Sequence, residues 1–227
     1  MNETSSKNEI TSGIIWKQLL LFFFPILLGS FFQQLYNTID AVIVGRFVGK
    51  NALAAVAGSS GMVINLLVNF FTGLTAGASV IVSQFFGSGD RKKVDDSIHT
   101  IYAFSIIGSV IMTLIGITAA PALLRLMNTP EELMSDSILY LRIYFAGIFF
   151  VFIYNTGAGL LRALGDSRRP LYCLMICCVI NIVLDPVMIF GLLGCPAFGI
   201  AGAAYATIIG QIAAAVLGII LNQVCNK

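Results

Sequence analysis

Residues 98–124 read IHTIYAFSIIGSVIMTLIGITAAPALL, 27 positions without an Asp, Glu, Lys or Arg. About 20 consecutive apolar residues suffice for an α-helix to cross ~30 Å of hydrocarbon. The run is continuous, whereas a membrane β-strand would alternate apolar and polar positions. Working outward, five further stretches share its character: from 14 to beyond 41, then 53–86, 137–161, 171–192 and 199–224. Turn chemistry separates them, as in Gly87-Ser88-Gly89-Asp90, Asn128-Thr129-Pro130-Glu131 and the Gly165–Pro170 segment. Backbone polar groups inside hydrocarbon must be satisfied within their own segment, which selects helices. The expected fold is an all-α integral membrane protein: six transmembrane helices in one bundle over 14–224, a polar tail at 1–13 and a short end at 225–227.

The whole composition agrees. Of 227 residues, 58% are hydrophobic and 11% charged, with mean hydropathy +0.92, against about 25% charged in soluble domains. A net charge of +2 is too small for a nucleic-acid partner. The five cysteines show no metal or disulfide spacing. Cys173, Cys177 and Cys178 fall inside one apolar stretch and Cys225 at the end of another, which suits small packing residues. The apolar run after the polar tail is too long for a secretory signal. With the N-terminus inside, nine Lys and Arg fall on the inner side and three on the outer, Arg142 lying just inside span four. That bias expects both termini in the cytoplasm and a place in the plasma (inner) membrane.

Eleven residues are acidic, and nine of them lie in tails or loops. The exceptions are Asp40, late in span one, and Asp185, late in span five. A carboxylate in hydrocarbon costs at least ~2.5–3.5 kcal/mol unless it faces a cavity, pairs or takes up a proton. Asp40 could instead cap a water-exposed helix end. At 1.5 Å per residue both acids lie about 10 Å from the outer end of their spans. Asn181 is one turn from Asp185 on the same face, and Thr207 on span six reaches a similar depth. These groups suit a proton or a hard cation such as Na⁺. Gln33, Tyr36 and Asp40 share one face of span one, beside Gln34, Asn37 and Thr38; the face suits a cavity lining or interhelical hydrogen bonds. Pro25 removes a backbone donor from that helix, as a hinge or an inert interruption. Gly73 and Gly77, and 199–204, offer small residues for close helix packing.

Enzymatic signals are weak. Gly58-Ser59-Ser60-Gly61 matches the GxSG string of intramembrane serine proteases, but such a site needs a nearby base. The single histidine, His99, is expected on the opposite side of the membrane. No P-loop or metal-protease string occurs, so the expectation is no enzyme and no organic cofactor.

Asn37-Thr38-Ile39-Asp40 with Val44-Gly45-Arg46-Phe47-Val48-Gly49 resembles the first-helix motif of the multidrug and toxic compound extrusion (MATE) family. Ser83 through Asp90, Arg162 through Pro170, Asn181 through Pro186 with Phe190-Gly191, and Gly199 through Thr207 resemble its later motifs in the same order. The resemblance implies efflux of cationic or amphipathic drugs in exchange for H⁺ or Na⁺ through two six-helix lobes. It implies a cation site at Asp40, Asn181, Asp185 and Thr207, a drug cavity lined by Gln33, Tyr36, Asn37 and Asn155, and a hinge at Pro25. One six-helix unit is present where the family has two. The chain is therefore expected to be an N-terminal lobe, whether half of a longer protein, a truncated product or a half-transporter, needing a second lobe or self-association. The alternatives are a membrane fragment that does not transport, or a lipid-linked precursor flippase, which a basic cavity would favour.

Overall fold

A computed structural model describes residues 15–194 and 196–225. The polar tail, Cys195 and the Cys225 side chain lie outside the described residues. The first span opens as α1 (Ile15–Ile43) and runs on through a π-helical turn, Val44–Val48. The second combines α2 (Lys50–Ala55), a second π turn and α3 (Gly61–Gly87). Then follow α4 (Arg91–Leu126), α5 (Glu131–Ala163), α6 (Arg168–Phe190) and α7 (Ile200–Cys225). Six helical spans are long and apolar enough to cross a membrane. The expected spans are all present, and most extend by several residues at their polar ends, where hydropathy falls but backbone hydrogen bonding does not.

Two local features depart from a plain reading of hydropathy. Gly58 takes a non-helical ψ of −123° between α2 and α3, so span two is bent where its apolar pattern is continuous. Conversely, α1 continues helically through Pro25, whose ring is buried. At the start of α4, Asp90 caps the helix by accepting from the Lys93 backbone N–H at 3.2 Å and pairs with Lys93 Nζ at 2.9 Å. That side-chain hydrogen bond, with the backbone one, holds the Asp90 carboxyl below the usual carboxylate range.

α5 is the central element, packed against α3, α4 and α7. The apolar window of its span is 56% buried, against 17% for span one and 6% for span two. Leu141, Phe145, Ile148 and Phe152 of α5 meet Ala120 and Leu124 of α4 in the main core. The second core joins Val44, Ala52 and Tyr140 to Ile189, Ala203 and Ala204. Cys173, Cys177 and Cys178 are free and buried, so they pack as small apolar residues.

The small residues divide. A Cβ on Gly202 would lie 2.7 Å from the carbonyl carbon and oxygen of Met188, so α6 and α7 touch backbone to backbone there. Gly73 and Gly77 meet nothing within 4 Å; their expected packing role is not met within this chain. Overpacking typically costs about 1–3 kcal/mol. Gly202→Leu should therefore lower the thermal unfolding midpoint in detergent, and Gly73→Leu should leave it unchanged.

Candidate cation and substrate site

Asp185 reaches the interior because α6 packs on both α1 and α7, which covers two of its faces. Its side chain is 0% exposed and that of Asn181, one turn earlier, 1%. With its NH₂ toward Asp185, the Asn181 amide donates to Asp185 Oδ2 at 3.1 Å and its oxygen accepts from the Thr207 backbone N–H at 3.1 Å. The Thr207 hydroxyl lies 3.3 Å from the same end of that amide and donates to the Ala203 carbonyl at 3.0 Å. Asn181, Asp185 and Thr207 thus form one hydrogen-bonded line across α6 and α7. Asp185 Oδ1 is buried without a hydrogen-bond partner.

Asp40 comes from the other side. α1 and α6 pack together, with Cys178 Sγ donating to the Phe32 carbonyl at 3.8 Å and Gly29 beside Leu174. Counting forward from Phe32 and Cys178 brings Asp40 and Asp185 to the same level, since both helices rise 1.5 Å per residue. The two carboxylates lie within electrostatic reach of each other and of Tyr140. Asp40 is half-buried, and its Oδ1 also lacks a hydrogen-bond partner. A buried acceptor left unmade costs about 1–3 kcal/mol. Two such oxygens beside a fixed amide leave ligand positions that suit a proton or a small hard cation, an oxygen-seeking species.

A polar cleft of about 110 Å³ runs beside this cluster between α1, α5, α6 and α7, lined by Pro25, Gln33, Tyr36, Tyr144, Asn155 and Gln211 among others. Asn155 donates to the Val151 carbonyl at 2.8 Å, which leaves its side-chain oxygen uncommitted. It also borders a second, mainly apolar groove of about 210 Å³ between α3, α4 and α5. Of the residues expected to line a cavity, Gln33, Tyr36 and Asn155 do so. Asn37, one helical turn after Gln33, is exposed on α1 and is not among the residues lining the cleft.

Several lining groups escape a reading by hydropathy. Tyr144, which lines the cleft, and Tyr140, within electrostatic reach of both acids, sit one turn apart on α5, both buried, and Gln211 lies one turn beyond Thr207. The i, i+4 spacing was the available signal. Arg162, which a loop assignment would leave in water, belongs to the last turn of α5 and lines the cleft. Arg142 instead is exposed, its Nε donating to the Ile117 carbonyl at 3.3 Å. Ser60 is buried against the Ser137 carbonyl, while His99 is exposed and bonded to its own helix, so no nucleophile–base pair forms.

Six apolar helices around a buried polar interior mark a multi-pass α-helical membrane protein. The MatE family model matches residues 25–187, and the chain belongs to the MATE family. A probable multidrug resistance protein, YoeA of Bacillus subtilis (strain 168), is 36% identical over 215 residues, covering 93% of this chain and 46% of its own length. YpnP of the same organism, also a probable multidrug resistance protein, is 38% identical over 203 residues, covering 89% and 44%. A solved MOP superfamily transporter from Pyrococcus furiosus Vc1 (DSM3638) superposes with a TM-score of 0.85 at 29% identity, covering 96% of this chain and 47% of that one. The chain spans about half the length of the curated relatives it matches. The Pyrococcus relative is a transporter, and none of these relatives is described as an enzyme.

Proposed function

We propose that this chain is the N-terminal lobe of a multidrug exporter driven by H⁺ or Na⁺, residues 14–224 forming the lobe. The observation that carries the reading is the pair Asp40 and Asp185, each with a buried, unpartnered carboxylate oxygen, beside the Asn181–Thr207 line and next to a polar cleft. A cation or proton at the acids competes electrostatically with a cationic drug in that cleft, which is how one site can exchange the two. Gln33, Tyr36 and Asn155 contact the drug, Asn37 faces the space between lobes, and Pro25 lets α1 bend, because it lacks the N–H that would hold one helical turn. Localisation to the inner membrane with both termini cytoplasmic follows from the Lys and Arg asymmetry.

The test uses this chain joined to a second lobe in everted vesicles. Uptake of a fluorescent cationic dye should require an imposed H⁺ or Na⁺ gradient and collapse when that gradient is dissipated. Uptake that persists with neither gradient would count against the coupling. Arg142 lies outside the cleft; the two acids, near the end of α6, favour cationic cargo beside them, whereas Arg162 lines the cleft near the start of α6.

A further inference from the structure

We propose that the Arg162 end of the polar cleft is an anion-binding subsite, taking a phosphate or carboxylate that carries a hydrogen-bond donor, as in the headgroup of an anionic amphiphile. Arg162 lines the cleft together with Pro25, Ser167 and Pro170. Its guanidinium makes no ion pair and no hydrogen bond among the described residues. The acid nearest in sequence is already committed. Asp166 Oδ2 accepts from Arg169 Nε at 2.8 Å, and Oδ1 accepts from the backbone N–H groups of Arg168 and Arg169 at 3.0 and 3.2 Å. Asp166 therefore fastens the start of α6 and leaves Arg162 with its charge unopposed. A guanidinium is a rigid fork of donors that matches the oxygens of a phosphate or carboxylate.

A second, independent group points into the same space. Gln211 on α7 is 6% exposed, lines the cleft, and its Oε1 has no hydrogen-bond partner. Its neighbour Gly210 packs at Cys177, so Gln211 lies about 10 Å along α6 from the Pro170 level at 1.5 Å per residue. An acceptor at that distance requires a ligand with a hydroxyl or N–H beyond its anion. Ile26, Leu171 and Leu174 of the same cleft accommodate apolar chain. The tyrosine nearest the guanidinium, Tyr154, donates to the Pro170 carbonyl at 3.2 Å, so it holds the wall and leaves the fork to the ligand.

The experiment follows thermal unfolding of the detergent-solubilised chain during titration with dihexanoyl phosphatidylglycerol, dihexanoyl phosphatidylcholine or inorganic phosphate. Phosphatidylglycerol should raise the midpoint saturably, as any ligand selective for the folded state does, and phosphatidylcholine should not. An equal response to inorganic phosphate assigns the site to a free anion; a response to phosphatidylglycerol alone assigns it to an amphiphile. Arg162→Gln should weaken the apparent affinity about tenfold, the scale of one lost charge-assisted pair. Arg162→Lys should weaken it less, and the exposed Arg168→Gln should not change it. If Arg162→Gln fails to fold, Arg162→Lys and Gln211→Leu carry the comparison, both expected to bind more weakly than the unsubstituted chain. No shift with either anion, or an unchanged affinity in the Arg162 and Gln211 variants, overturns the subsite.

Discussion

Asp185→Asn should reduce drug resistance to that of cells without the transporter while leaving the protein in the membrane at normal abundance. The substitution keeps the shape of the side chain and removes its charge. In the present packing Asp185 is wholly buried and one of its oxygens has no partner. As a carboxylate with one satisfied oxygen it must attract a proton or a cation; as an amide it has nothing to offer a coupling ion beyond a weak dipole. A contact to a charged group contributes roughly 1.5–3 kcal/mol, so ion affinity should fall roughly 10- to 150-fold. Stability should move the other way or not at all, because the variant no longer buries a charge. The two readouts, resistance and unfolding midpoint, therefore separate a coupling role from a structural one. Asp40→Asn should give a smaller loss, since Asp40 is half-buried and stands across from the Asn181–Thr207 line rather than within it. Unchanged resistance in Asp185→Asn would sink the proposed site.

The six spans were legible in the sequence because hydrocarbon demands long apolar helices and little else produces them. The shared level of Asp40 and Asp185 was legible too, since helix rise converts position into depth. What hydropathy could not show was the side of a residue that another helix covers. Arg162 illustrates this. Its place beside Gly165-Asp166 resembles a loop, yet α5 continues to Ala163 and turns the guanidinium into the cleft. Gly73 and Gly77 illustrate the converse: their spacing advertises a helix contact, and no helix among the described residues provides it. Asn37 was placed with its neighbours by motif; it stands one step of about 100° round the helix from Tyr36, though only about 40° from Gln33.

The chain alone should show no gradient-driven dye efflux, and fusing it to the remaining half of the YoeA relative should restore it. The reason lies in which surfaces the bundle leaves bare. Span two is the least buried, at 6%, and span one is only 17% buried; both carry groups that hydrocarbon tolerates poorly. Gln33, Gln34, Asn37 and Thr38 are exposed on α1, and Asn65, Asn69 and Thr72 on α3. Thr38 and Thr72 satisfy their hydroxyls by donating to their own helices, and Asn65 does likewise, but the amides of Gln33, Gln34 and Asn37 need water or another helix. The open Gly73 and Gly77 on α3 allow a foreign helix to approach closely. A second lobe seated there would enclose the polar cleft between two bundles, and alternating access needs two bundles that can rock about a shared site. Gly73→Leu in the fusion should then cut efflux without changing the stability of the isolated lobe, because the substitution meets nothing within it. Gradient-driven efflux by monomers of the chain alone would overturn the requirement for a second lobe, and efflux by a dimer of the chain would assign that place to a second copy.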